Sequence, residues 1–92
     1  MNMKEKMIKL LLGNKYDEVE KDCYYRVYLK NISIMEDIDV LAIQAVASTK
    51  GSLYNLEVCL DLGGVPEWYL GIDWLDNDTI DAIYNQIIEK KS

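Results

Sequence analysis

Ninety-two residues suit one small acidic domain spanning residues 1–92. A chain this short buries roughly 60–65% of the surface its unfolded form exposes. Half the residues are apolar and 28% are charged, which excludes a disordered chain. The net charge of -6 and a pI near 4.5 exclude the electrostatic footprint of a direct nucleic-acid binder or an anionic-membrane binder. With no histidine in the chain, histidine-based acid/base, triad and metal chemistry are absent.

The first expected element is a helix over residues 3–12. Met3, Met7, Leu10 and Leu11 recur on one face of a 3.6-residue period. Gly13 is its expected stop, because a left-handed residue is needed there and glycine takes it without penalty. The apolar run from Met7 to Leu12 is too short for a signal-peptide core, and no stretch approaches the ~20 apolar residues of a bilayer span. A cytoplasmic protein is the expectation. Nine lysines against one arginine, with ten isoleucines, suggest an AT-rich bacterial or phage gene.

A polar loop over 13–22 leads into the first expected strand, Cys23 to Lys30. Cys23, Tyr25, Val27 and Leu29 point inward, while Tyr24, Arg26, Tyr28 and Lys30 point outward.

Residues 34–48 carry two competing signals, and the helical one is preferred. Ser33 and Glu36 fit a capping box. Ile38, Leu41, Ala42, Ala45 and Val46 form a helical stripe, with Gly51 as a stop. The rival is a strand ending in a Thr49-Lys50-Gly51 hairpin, encouraged by Ile38, Val40, Ile43 and Val46 but weakened by poor alternation.

The next strand runs from Leu53 to Leu62, with the even-numbered residues Tyr54, Leu56, Val58, Leu60 and Leu62 facing the core. A loop over 63–67 follows. A last strand is expected from Trp68 to Leu75, with Trp68, Leu70, Ile72 and Trp74 inward and Tyr69 outward. Inward residues of even number on both strands demand an even pairing sum, which excludes a two-residue turn. Leu62 then pairs with Trp68, and Glu57 lies opposite Asp73, with Arg26 and Lys30 alongside to neutralise them. The final helix starts at Asp78 as N-cap with Asp81 at the capping-box position. Ile80, Ile83, Tyr84, Ile87 and Ile88 form its apolar stripe.

The fold class is therefore α+β. A three-stranded, mainly antiparallel sheet, four-stranded if 38–47 is β, packs on one face against the N-terminal and C-terminal helices. Cys23 and Cys59 read as free thiols, unless neighbouring strands bring them within bonding distance.

Residues 31–89 hold eleven acidic side chains and one basic, Lys50, so the charge is strongly one-sided. Known catalytic patterns fail. Asp76-Asn77-Asp78 lacks the glycine and glutamate of a calcium loop. Gly63-Gly64 lacks the surroundings of a phosphate loop. Neither cysteine has a histidine base. No enzyme activity, cofactor or metal is expected.

The expected function is a small acidic protein-binding module. It would inhibit a basic-surfaced protein, such as a nuclease or other nucleic-acid-binding protein, its carboxylates standing in for phosphates. Immunity proteins and phage or mobile-element anti-defence proteins, anti-CRISPR proteins among them, act this way as classes. Asp73, Asp76, Asp78 and Asp81 are the first candidate contacts, Glu57 and Asp61 the next, and Tyr69 the aromatic anchor. The alternative is a homo-oligomeric or accessory structural protein, such as a homodimer contacting through Tyr24 and Tyr28, whose acidity serves only solubility.

Overall fold

The computed structural model describes residues 2–16, 22–48 and 53–91. Helix α1 (Met3–Leu12) starts at Asn2, whose Oδ1 accepts the Glu5 N–H at 2.9 Å. That bond satisfies one of the orphan donors of the first turn. Gly13, at φ 57°, ends the helix, and its N–H returns to the Lys9 carbonyl. A 3-10 turn, Gly13–Tyr16, follows.

Five strands come next: β1 (Cys23–Tyr28), β2 (Ser33–Met35), β3 (Ile38–Ser48), β4 (Leu53–Leu62) and β5 (Val65–Leu70). Helix α2 (Asn77–Lys91) closes the described chain. All strand pairings are antiparallel, in the order β1-β3-β4-β5. The short β2 also pairs with β3, end to end with β1 on the same side. The fold is α+β, but the sheet has five strands where three, or four with 38–47 as a strand, were expected.

The core joins Met7, Ile8, Leu11 and Leu12 of α1 and Ile83 and Ile87 of α2 to one face of the sheet. From the sheet come Val40, Ile43, Ala45 and Ala47 of β3 and Leu56, Val58 and Leu60 of β4. On β1, Cys23, Tyr25 and Val27 pack inward while Tyr24, Arg26 and Tyr28 are exposed, as their alternation requires. Ile88, expected in the helical stripe of α2, is exposed.

The helix expected over 34–48 does not form. Residues 33–35 and 38–48 are strands joined at Glu36-Asp37, with Asp37 at φ 67°. Ser33 caps nothing; its hydroxyl donates to Asp39 Oδ1 at 2.6 Å. The misleading pattern has a physical source. The β3–β4 register shifts between Val40 and Ala42, so Leu41 is an extra residue, a β-bulge. Before it Ile38 and Val40 face the core; after it Ile43, Ala45 and Ala47 do. The gap of three from Val40 to Ile43 breaks the period of two and imitates a helical stripe.

The second hairpin also departs from expectation. Gly63 and Gly64, at φ 64° and 93°, form a two-residue turn, and Leu62 pairs with Val65. Two consecutive left-handed residues suit a type I′ turn, whose twist matches the strands. The pairing sum is odd, so Val65, Glu67 and Tyr69 share the face of Val58 and Leu60. Pro66, Trp68 and Leu70 share the opposite face with Glu57, Cys59 and Asp61. Trp68 and Leu70 therefore point away from the core. The strand begins at Val65 and stops at Leu70, because Gly71 takes φ 80°. Trp74 lies in the following turn, exposed, with Nε1 donating to the Gly71 carbonyl at 2.9 Å. Only Ile72 of the expected inward set is buried.

The connection over 49–52, with the expected Thr49-Lys50-Gly51 hairpin, lies outside the described residues. Cys23 and Cys59 are both free thiols. β3 separates their strands, and they sit on opposite faces of the sheet. Among the described residues, no helix is long and apolar enough to cross a membrane.

Candidate functional site

Two surfaces stand out, and the first is an acidic edge. Asp76 is the N-cap of α2, two residues before the Asp78 expected in that role. Its Oδ1 accepts the Thr79 N–H at 2.7 Å, and its carbonyl accepts the Ile80 N–H at 3.0 Å. The Thr79 backbone N–H, and then the Thr79 hydroxyl, hold the Asp76 carboxyl below its ordinary pKa. Asp78 and Asp81 extend from the first turns of the helix, both exposed.

Asp76 and Asp78 line one shallow depression with Asn31, Ile32 and Ser33. Ser33 bonds Asp39, and Asp39 is the cross-strand partner of Asp61. Like charges directly opposite are mildly destabilising. Here each carboxylate has its own donor, since Asp61 Oδ1 accepts the Gly64 N–H at 2.7 Å. Glu36 and Asp37 are exposed in the adjacent turn. A carboxylate edge thus runs from the start of α2 across Ser33 to the ends of β3 and β4. Lys90 and Lys91, at the other end of α2, line a separate depression with Arg26 and Tyr28. The fifteen residues of α2 hold the two ends about 20 Å apart.

Of the seven expected contacts, the structure brings Asp76, Asp78 and Asp61 into this edge, with Asp81 adjoining. Asp73 lies exposed in the turn before α2. Tyr69 is exposed on the helix-facing side of β5, its ring edge-on to Trp74 at 5.8 Å. Glu57 sits mid-sheet opposite Gln44 and Leu70, so its expected pairing with Asp73 does not occur. The unforeseen members are Glu36, Asp37 and Asp39. Their signal was the Glu36-Asp37 pair, which suits an exposed turn as well as a first helical turn.

The second surface is the sheet face away from the helices. Tyr24, Arg26 and Tyr28 of β1 and Trp68 and Leu70 of β5 are among its large side chains. Arg26 Nε donates to Gln44 Oε1 at 3.0 Å, and Gln44 Nε2 donates to Glu57 Oε1 at 2.7 Å. The arginine therefore reaches Glu57 through a buried glutamine. Its guanidinium also lies 5.3 Å from the Tyr24 ring, 5.9 Å from Tyr28 and 4.6 Å from Trp68. The Tyr28 hydroxyl, accepting from Arg26 Nη1, raises the arginine pKa further. Ala42 and Cys59 lie between Tyr28 and Trp68 in the same cross-strand row and are buried. Burial pushes the Cys59 thiol up, and the nearby Arg26 opposes that shift.

No family model matches the chain, and neither curated proteins nor solved structures give a match. The chemistry of the two surfaces must therefore carry the functional reading. Among the described residues, no three cysteine or carboxylate side chains gather in a way that could hold a metal ion. The carboxylates of Asp76, Asp39 and Asp61 are each already hydrogen-bonded on one oxygen. Their second oxygens can accept from arginine or lysine of another protein.

Proposed function

We propose that the chain is a small, non-catalytic protein-binding module whose acidic edge receives a basic-surfaced protein. The observation that supports it is the continuity of carboxylates from Asp76 and Asp78 through Asp39 to Asp61, away from Lys90 and Lys91. A one-sign edge speeds encounter with a basic partner, and salt weakens the attraction. The partner class is a nuclease or other nucleic-acid-binding protein, whose phosphate-binding arginines and lysines the carboxylates would occupy. That makes the module an inhibitor of the immunity or anti-defence kind. Two free thiols fit a reducing compartment such as the cytoplasm.

The test uses wild type and the Asp76→Lys/Asp78→Lys double variant as baits in a bacterial lysate at low and high salt. The expected result is a basic nucleic-acid-binding protein retained by wild type at low salt and released by salt or by the charge reversal. Retention that ignores both changes, or no such partner, overturns the reading.

One observation favours a second reading, a homo-oligomeric or accessory structural protein. Tyr24 and Tyr28 on β1, and most of β5, leave large apolar side chains exposed.

A further inference from the structure

Positive charge gathers along the outer edge of β1. Four consecutive residues of that strand, from Tyr25 to Tyr28, line a depression with Leu11, Lys90 and Lys91. Residues from both faces of β1 take part and none from β3 does, so the depression opens along the edge that β3 leaves free. Lys90 also lines a neighbouring depression with Lys30, Asn31, Gln86 and Glu89. The two make one groove between β1 and the last turns of α2. Four of the chain's ten basic residues border it, and Glu89 is the one carboxylate among its described lining residues. In a protein of net charge -6 the groove is therefore a local reversal of sign.

The backbone of β1 faces the same way. The Leu29 N–H donates to the Leu41 carbonyl at 2.9 Å, one step beyond the Tyr28 and Ala42 pair. Backbone bonding alternates along an antiparallel strand. Cys23, Tyr25 and Val27 thus spend their N–H and carbonyl groups on β3, and Tyr24, Arg26 and Tyr28 turn theirs outward. Within the described sheet β1 pairs only with β3 and takes no strand on its outer side.

A strand added at this edge would place alternate side chains on the face of Tyr25 and Val27, the face that the helices pack against. Lys90 and Lys91 stand there, both exposed. Carboxylates two residues apart on the added strand would meet them. A second copy of β1 is the wrong occupant, since it would bring its own Arg26, Lys90 and Lys91 to the joint. A nucleic acid is also disfavoured, because its charge continues past the groove onto an acidic surface.

We propose that β1 receives an extended segment of another protein with Asp or Glu at alternate positions, added to the sheet as a further strand. Backbone bonds to Tyr24, Arg26 and Tyr28 hold the segment, and Lys90 and Lys91 select its acidic face. The contact is separate from the acidic edge and goes beyond that reading.

The test is backbone hydrogen exchange of the wild-type chain with an end-blocked octapeptide of alternating glutamate and threonine at millimolar concentration. The Tyr24, Arg26 and Tyr28 amides should exchange at least about tenfold more slowly, and those of β5 should not change. An octapeptide of alternating lysine and threonine should protect nothing. Lys90→Glu/Lys91→Glu should keep its far-ultraviolet circular dichroism and weaken the acidic peptide's binding at least about tenfold. Tyr24→Pro removes an outward N–H that β3 does not use and should weaken binding as well. Asp76→Lys/Asp78→Lys should bind the peptide at least as well as wild type, which separates this contact from failure of the acidic edge. Absence of β1 protection overturns the proposal, as does equal protection by the lysine peptide or binding that ignores the Lys90 and Lys91 reversal. Protection of β1 that rises with protein concentration alone would give the edge to a second copy and overturn it too. Should either variant fail to fold, the wild-type exchange pattern with the two peptides decides.

Discussion

Arg26 and Trp68 lie on strands at opposite edges of the sheet, yet the guanidinium stands 4.6 Å from the centre of the indole ring. Arg26 belongs to the row of Gln44 and Glu57, and in the neighbouring row of Trp68 the small residues Ala42 and Cys59 leave room for the two long side chains to meet above them. A sheet packed by helices on one side must still dry its other side. Here an arginine stem and an indole provide part of that cover. Replacing Trp68 with alanine should therefore uncover Cys59. In a Cys23→Ser background, Trp68→Ala should raise the rate of Cys59 labelling severalfold, and Trp68→Phe should stay near the parent. Equal rates in all three proteins would show that something other than the indole buries the thiol.

Gln86 fastens α2 to the segment after β1. Its side-chain oxygen accepts the Lys30 N–H at 2.9 Å, and its amide donates to the Lys30 carbonyl at 2.6 Å. The pair occupies backbone groups that no strand uses. Gln86→Ala should cost about 1–2 kcal/mol for the two bonds. At the usual conversion for a small domain that lowers Tm by roughly 4–12 °C. Urea or thermal unfolding checks it, and an unchanged midpoint would mean that water replaces the glutamine without loss.

The hairpin at Gly63-Gly64 tests the turn type. Both residues have positive φ, and an added Cβ at either would meet nothing within 4 Å. Only backbone conformation then penalises a side chain. Gly64→Ala, at φ 93°, should cost about 1–2 kcal/mol. Gly63→Asn should be neutral or stabilising, since asparagine tolerates the left-handed region and Asn-Gly favours this turn. Thermal melts of the two variants should move in different directions or by clearly different amounts. Equal losses would contradict the left-handed assignment of Gly63.

The Asp76 cap makes stability depend on pH. Its carboxyl has a folded pKa below the unfolded value because the ionised form accepts the Thr79 N–H. The stabilisation is therefore complete above the unfolded pKa, near 4, and is lost as pH falls through the lower folded value. Asp76→Asn should keep most of the cap and flatten this part of the acid limb. Asp76→Ala should lower Tm at neutral pH as well. Unfolding midpoints between pH 2 and 7 in the three proteins decide it; parallel curves would remove Asp76 from the acid limb.

The elements whose apolar pattern has a single period were legible in the sequence. The N-terminal helix matches its expected limits, 3–12, and the strand from 53 to 62 faces the core with the residues its alternation names. Residues 34–48 were not legible, because the bulge at Leu41 moves the inward set from even to odd numbers within one strand. The short loop was misread for a related reason. Trp68 and Leu70 read as core residues because they are apolar, and an inward Trp68 and Leu70 require a five-residue loop over a Gly-Gly pair that itself favours a two-residue turn. Of the candidate contacts, Asp76 and Asp78 were visible as exposed charge at a helix start. Asp39 was not, since it becomes a neighbour of Asp61 only through strand pairing.

Composition and local pattern determined the α+β class, the two terminal helices and the acidic excess after residue 30, because these depend on side-chain chemistry and nearest-neighbour spacing. Tertiary structure alone decided which carboxylates lie together, which face Trp68 takes and how far β5 stays exposed. Those depend on pairing parity, and a single bulged residue or a two-residue turn reverses parity without altering the composition at all.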